Sequence, residues 1–105
     1  MPVVVVATLK AKPDSVQAVR EAGKKAIGAV HEEPGCDLYS LHEADDGTFI
    51  FVEQWADADA LKTHSGAPAV AEFFGAIGEH LDGAPDIKVL QTVVAGDPAK
   101  GQLRP

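Results

Sequence analysis

Pro34-Gly35 constrains this chain more than any other feature. It stops a helix-patterned segment and opens a strand, because proline has no N–H to continue a helix and glycine accepts the turn that ends one. Upstream, Val16, Val19, Gly23, Ile27 and Val30 recur at helical spacing and make one apolar stripe. Asp14 or Ser15 can cap that helix, and Arg20, Glu21, Lys24 and Lys25 fall mainly on its other side. Downstream, Cys36 to Glu43 and Thr48 to Trp55 read as two strands joined by Ala44-Asp45-Asp46-Gly47. The linker has hairpin chemistry, with Asp-Gly supplying the positive φ angles of a tight turn.

The remaining segments fall into place around this centre. Val3 to Leu9 is β-branched and nearly continuous, the pattern of a strand buried on both faces. Asp57 or Asp59 can cap a short helix running through Leu61 to His64, which Gly66-Ala67-Pro68 breaks. A second stripe follows in Val70, Phe73, Phe74, Ile77 and Leu81, and Gly83-Ala84-Pro85 ends it. Ile87 to Val94 is the last expected strand, with Ile87 and Val89 alternating against Lys88 and Leu90. The order β-α-β-β-α-β predicts a ferredoxin-like α+β fold, in which two helices cover one face of an antiparallel sheet.

The first strand and Phe49-Ile50-Phe51-Val52 are apolar on both sides, whereas helices cover only one face. An uncovered apolar face predicts a homodimer through the sheet faces. Residues 1–95 are expected to form a single domain and 96–105 a polar tail, frayed or lying on a partner.

A net charge of −7 argues against binding nucleic acid or an anionic membrane surface, both of which call for a basic footprint. No apolar run approaches the ~20 residues of a membrane span. The apolar opening Met1 to Ala7 has no basic leader or small-residue cleavage site, so a cytoplasmic protein is expected. Cys36 is the single cysteine, which excludes an internal disulfide and a cysteine-based zinc site. No metal-ligand spacing, dinucleotide fingerprint, P-loop or Gly-x-Ser-x-Gly elbow occurs, so no metal or nucleotide cofactor is expected.

Several motifs together carry a resemblance. The helix end Glu32-Glu33-Pro34-Gly35-Cys36, Tyr39 three residues on, the strand end Glu53-Gln54-Trp55 and the following Leu61-x-x-His64 resemble the antibiotic biosynthesis monooxygenase family, from about Val3 to Val94. The chain most resembles small actinobacterial members described as monooxygenases. The resemblance implies a dimeric α+β barrel with a pocket between sheet and helices in each subunit. For some members it also implies oxygenation of a quinol or polyketide-like phenol by O2 as co-substrate, without metal or flavin. Haem-degrading relatives use an Asn, a Trp and an axial His. This chain has no Asn, and by spacing the Trp and His positions of those relatives fall on His64 and Phe74. Haem is therefore disfavoured, and the Asn-based arrangement of some polyketide oxygenases is missing too.

The candidate site residues follow. His64, an imidazole able to act as a base near neutral pH, is the expected catalytic base or substrate anchor. Tyr39, His42, Glu53, Trp55, Phe73 and Phe74 are the expected pocket lining for a small aromatic or apolar ligand. Glu53 is alternatively a structural partner for Arg20 or a lysine, Trp55 a core anchor, and His42 an exposed strand residue. His31 and His80, near helix C-termini, are expected to be structural, and Cys36 a buried thiol. The leading expectation is a cofactor-independent monooxygenase. The alternative is a non-catalytic protein of the same fold that binds an apolar ligand or haem.

Overall fold

The structure, a computed structural model, describes residues 1–105. Its elements run β1 (Val3–Lys10), α1 (Val16–His31), β2 (Cys36–Glu43), β3 (Thr48–Trp55), α2 (Ala58–Ser65), α3 (Pro68–Ile77) and β4 (Asp86–Leu90). The four strands form one antiparallel sheet in the order β2-β3-β1-β4. This is the ferredoxin-like α+β arrangement, with the second crossover broken into two helices at Gly66-Ala67-Pro68.

The central hairpin matches the expected strand limits, because alternation and turn chemistry are both local signals. Only Gly47 takes a positive φ in the turn, at +83°, so Asp46 keeps an ordinary backbone conformation. Asp57 caps α2, its Oδ1 accepting from the Ala60 N–H at 2.8 Å. Ser15 occupies the N-cap of α1 without capping it; its hydroxyl lies 3.0 Å from His80 Nδ1 instead.

Two elements differ from expectation. The helix expected to reach Leu81 ends at Ile77, a 3-10 turn spans Gly78–His80, and Leu81 instead bridges to Ala11. β4 stops at Leu90 rather than Val94. Its pairing with β1 runs from Thr8↔Asp86 to Val4↔Leu90, and β1 begins at Val3, so the last valines have no strand to join.

The core lies between the helices and one face of the sheet. Val5, Ala7 and Leu9 of β1 and Phe49, Phe51 and Trp55 of β3 pack against Val19, Ala26 and Val30 of α1 and Phe73 and Ile77 of α3. Phe49, Trp55 and Ile77 are fully buried, each stabilising the fold by about 1.5–3 kcal/mol or more through apolar area removed from water. On the other face the C-terminal tail turns back onto its own sheet. The Gln54 side-chain amide donates to the Arg104 carbonyl at 3.3 Å, and the Arg104 N–H donates to Gln54 Oε1 at 3.2 Å. This two-way pairing leaves Gln54 buried with its polar atoms satisfied. No helix is long and apolar enough to cross a membrane.

Candidate functional site

α2 is short, but its Leu61 and His64 are three residues apart and so face the sheet together. The same face of the sheet presents Tyr39 from β2, in register with Glu53 of β3, and Trp55 two residues further along. His64 stacks on the Trp55 indole with ring centroids 4.3 Å apart and meets the Tyr39 ring edge-on at 5.5 Å. Tyr39 in turn stacks on Phe51 at 4.8 Å. His64 is thereby fixed between two aromatic rings, and it is buried.

Beside this stack lies a cavity of about 270 Å³. Val5, Ala7 and Leu9 floor it, Phe51, Phe73 and Phe74 wall it, and Tyr39, Glu53, His64 and Ser65 supply its polar groups. Ile87 of β4 stands at its edge, half exposed. An apolar, aromatic chamber with a few convergent polar groups is the usual form of a small-molecule site.

Two carboxylates bracket the imidazole. His64 Nδ1 donates to Glu33 Oε1 at 2.7 Å, and His64 Nε2 lies 3.8 Å from Glu53 Oε1. The first contact fixes the ring and leaves Nε2 as the atom turned toward the second carboxylate. At 3.8 Å Nε2 and Glu53 make no direct hydrogen bond, but one ligand hydroxyl set between them reaches both. Glu53 Oε1 also accepts from the Trp55 indole N–H at 3.0 Å. Burial drives the Glu53 carboxyl pKa above the usual range; the Trp55 hydrogen bond and the His64 charge pull it back, and Glu33 adds to the rise. Burial likewise raises the Tyr39 phenol, with Glu53 and Glu33 adding to it, so Tyr39 is a hydrogen-bond donor rather than a phenolate.

Glu33 reaches His64 because of the turn that precedes β2. Gly35 takes φ +79°, and a Cβ placed there would lie 2.5 Å from the Ala60 Cβ of α2. The Gly35 carbonyl also accepts from the Ala56 N–H at 2.8 Å. A residue with a side chain would hold the turn away from α2. Glu33 was absent from the candidate set although it stands inside the Glu-Pro-Gly motif. The only sequence signal for it is that motif, which reads first as a helix stop.

Several candidates fall elsewhere. His42 is exposed on the opposite face of the sheet, its Nε2 3.0 Å from Ser40 Oγ, so it does not line the cavity. Alternation places Leu38, Ser40 and His42 together, and the irregularity between Cys36 and Leu38 lets both Cys36 and Tyr39 turn to the helices. Glu53 does not pair with Arg20, whose guanidinium instead grips Glu43 through two contacts of 2.7 and 2.6 Å. Trp55 is a core anchor that touches the site through Glu53 and His64. His31 Nε2 lies 2.9 Å from the Tyr39 carbonyl oxygen and holds the end of α1 to β2. Burial, then Glu33, Asp37 and Glu53, raise the Cys36 thiol pKa, which disfavours the thiolate. No group of three His, Cys, Asp or Glu side chains is placed to hold a metal ion.

A sequence model described as "Antibiotic biosynthesis monooxygenase" matches residues 2–76. The chain belongs to the antibiotic biosynthesis monooxygenase family. Among family relatives, it is 33% identical over 81 residues to Rv0793 of Mycobacterium tuberculosis, covering 76% of this chain and 80% of that protein. The solved structure of Rv0793 superposes with a TM-score of 0.85 and 28% identity, covering 92% of this chain and all of that one, 100%. A Caulobacter crescentus protein named for the same family superposes with a TM-score of 0.82 at 33% identity, over 88% of this chain and 90% of that chain. An uncharacterised Synechocystis protein is 32% identical over 90 residues, which is 84% of this chain; the match spans only 61% of that longer protein. Family membership brings the monooxygenase designation to this chain, and the matched residues contain Glu33, Tyr39, Glu53, Trp55 and His64.

Proposed function

We propose that this protein is a cofactor-independent monooxygenase that oxidises a small aromatic or quinol-like substrate with O2, with His64 as base. One observation carries the reading: an imidazole buttressed by a half-buried carboxylate at 2.7 Å turns its other nitrogen toward an aromatic cavity. Proton removal by Nε2 leaves an imidazolium whose charge Glu33 offsets at Nδ1. Tyr39 and Glu53 donate to or accept from the substrate oxygens and hold its anion in place. The apolar walls keep water from competing with O2 for that anion.

The chemistry balances without a further reductant. In an anthrone-type substrate the ring CH2 becomes C=O. One atom of O2 enters the carbon, the other leaves as water with both hydrogens, and all four electrons come from the substrate.

The reading includes a homodimer. Exposed Ile87 and Val89, on the cavity face of β4, continue past the strand end into exposed Val93 and Val94, an apolar strip beside the cavity edge. A second copy laid along that strip would cover it and shut the cavity on that side.

The test is O2 uptake by chelator-treated protein with anthrones and naphthalene diols, beside a His64→Ala control. Uptake that falls by about tenfold or more in kcat/KM on substitution is the expected result, since a positioned base contributes roughly 10²–10⁴-fold. Uptake unchanged in the variant would remove His64 from the chemistry. Ligand binding with no uptake would make the protein a binding module of this fold.

A further inference from the structure

The electrostatics around the cavity select among aromatic ligands. None of the 13 residues lining it is Lys or Arg. Its one basic group, His64, is already matched by Glu33 at 2.7 Å, and Glu53 stands on its other side at 3.8 Å. Glu33 Oε2 is buried with no hydrogen-bond partner, so the Glu33 carboxylate is only half compensated by the imidazole. Cys36 and Tyr39, the other titratable groups in this region, are held in their neutral forms by burial.

We infer that the cavity takes uncharged hydroxyarenes and rejects their carboxylated counterparts, because Glu33 and Glu53 leave an entering anion no free cation to meet. This deepens the reading of the cavity as a substrate site and rests on it. A carboxylate loses its hydration on entering an apolar chamber and recovers it only against an unpaired cation or several donors. Here the donors are the Tyr39 and Ser65 hydroxyls, the second already given to the Leu61 carbonyl at 3.0 Å, and a ligand carboxylate sharing one small space with Glu53 repels it once both ionise. A phenol hydroxyl has the opposite experience: it can donate to His64 Nε2 or Glu53 and accept from Tyr39. The cavity's 270 Å³ lies just below the range typical of drug-sized ligands, which suits a small arene.

Titration calorimetry with 1-naphthol and 1-hydroxy-2-naphthoate at neutral pH isolates the effect, since the two differ by one ionised carboxylate. The expected result is at least about tenfold tighter binding of 1-naphthol. The ratio should fall by about threefold or more in Glu53→Gln and in Glu33→Gln, each checked for folding by circular dichroism. Glu33 does not line the cavity, so its variant serves where the Glu53 change disturbs packing against Trp55. Equal or tighter binding of the carboxylate overturns the inference, as does a ratio that survives both substitutions, or failure of both ligands to bind. O2 uptake does not enter the readout. Selective binding without turnover would therefore sink the oxygenase reading and leave the selectivity standing.

Discussion

Glu53 faces an apolar chamber from the middle of a strand, held by a single hydrogen bond from Trp55. Its raised pKa has a consequence for stability. A carboxyl whose folded pKa exceeds its unfolded value contributes stability that is full below the unfolded value and is lost as pH rises through the folded one. Glu53→Gln keeps an acceptor for the indole N–H and removes the titration. Its melting temperature relative to the natural protein should therefore improve as pH rises above the ordinary carboxylate range. A difference independent of pH would mean that burial does not perturb Glu53. Cys36 gives a second prediction at this scale. Its raised thiol pKa predicts alkylation by iodoacetamide slower than that of a free thiol at neutral pH. Rapid modification would show an accessible thiolate. Glu53 and His64 could be singled out in the sequence as a carboxylate among aromatics and an imidazole after a strand end. Which atoms they present to each other could not, because that depends on rotamers fixed by Trp55 and Tyr39.

The α1–β2 turn and α2 are the elements that make the site, and their contact is unusually close. Gly35→Ala should destabilise the protein by about 1–2 kcal/mol, the cost of a left-handed conformation with a side chain, plus the clash with Ala60. Ala60→Gly should cost roughly 1 kcal/mol in the natural background, as glycine does within a helix. It should cost less with Ala at position 35, because it relieves that contact. Urea denaturation of the four proteins measures this coupling, and strict additivity would refute the contact. Most elements were legible from pattern alone: the hairpin strands carry their own alternation and turn, and α1 its own stripe. β4 was overextended because where a strand stops depends on its neighbour, and β1 has no residue to pair beyond Val3. His42 was misplaced because alternation says which residues share a face but not which face the helices cover. Glu33 was missed because its partner lies on another element.

At the scale of the whole molecule, the helices cover one face of the sheet and the tail crosses part of the other. Ile87, Val89, Val93 and Val94 are left exposed by both. Val93 and Val94 are 87% and 67% exposed, so replacing both with Glu should leave the fold intact. Sedimentation velocity should then show a dimer for the natural chain and a monomer for the variant; a monomeric natural chain would refute the proposed pairing. The architecture was legible from element order, whereas the path of the tail was not, because Gln54 finds Arg104 only after the chain has doubled back. The Glu33–His64 contact spans 31 residues and encloses the whole β2–β3 hairpin. Closing that loop costs less entropy once the hairpin inside it has formed. A slip of β3 by one residue would turn Glu53 to the far face and bring Gln54 inward. A chain trapped in such a register could keep most of its secondary structure and still be chemically inert. The stacking of His64 on Trp55 thus acts as a built-in check on strand registry.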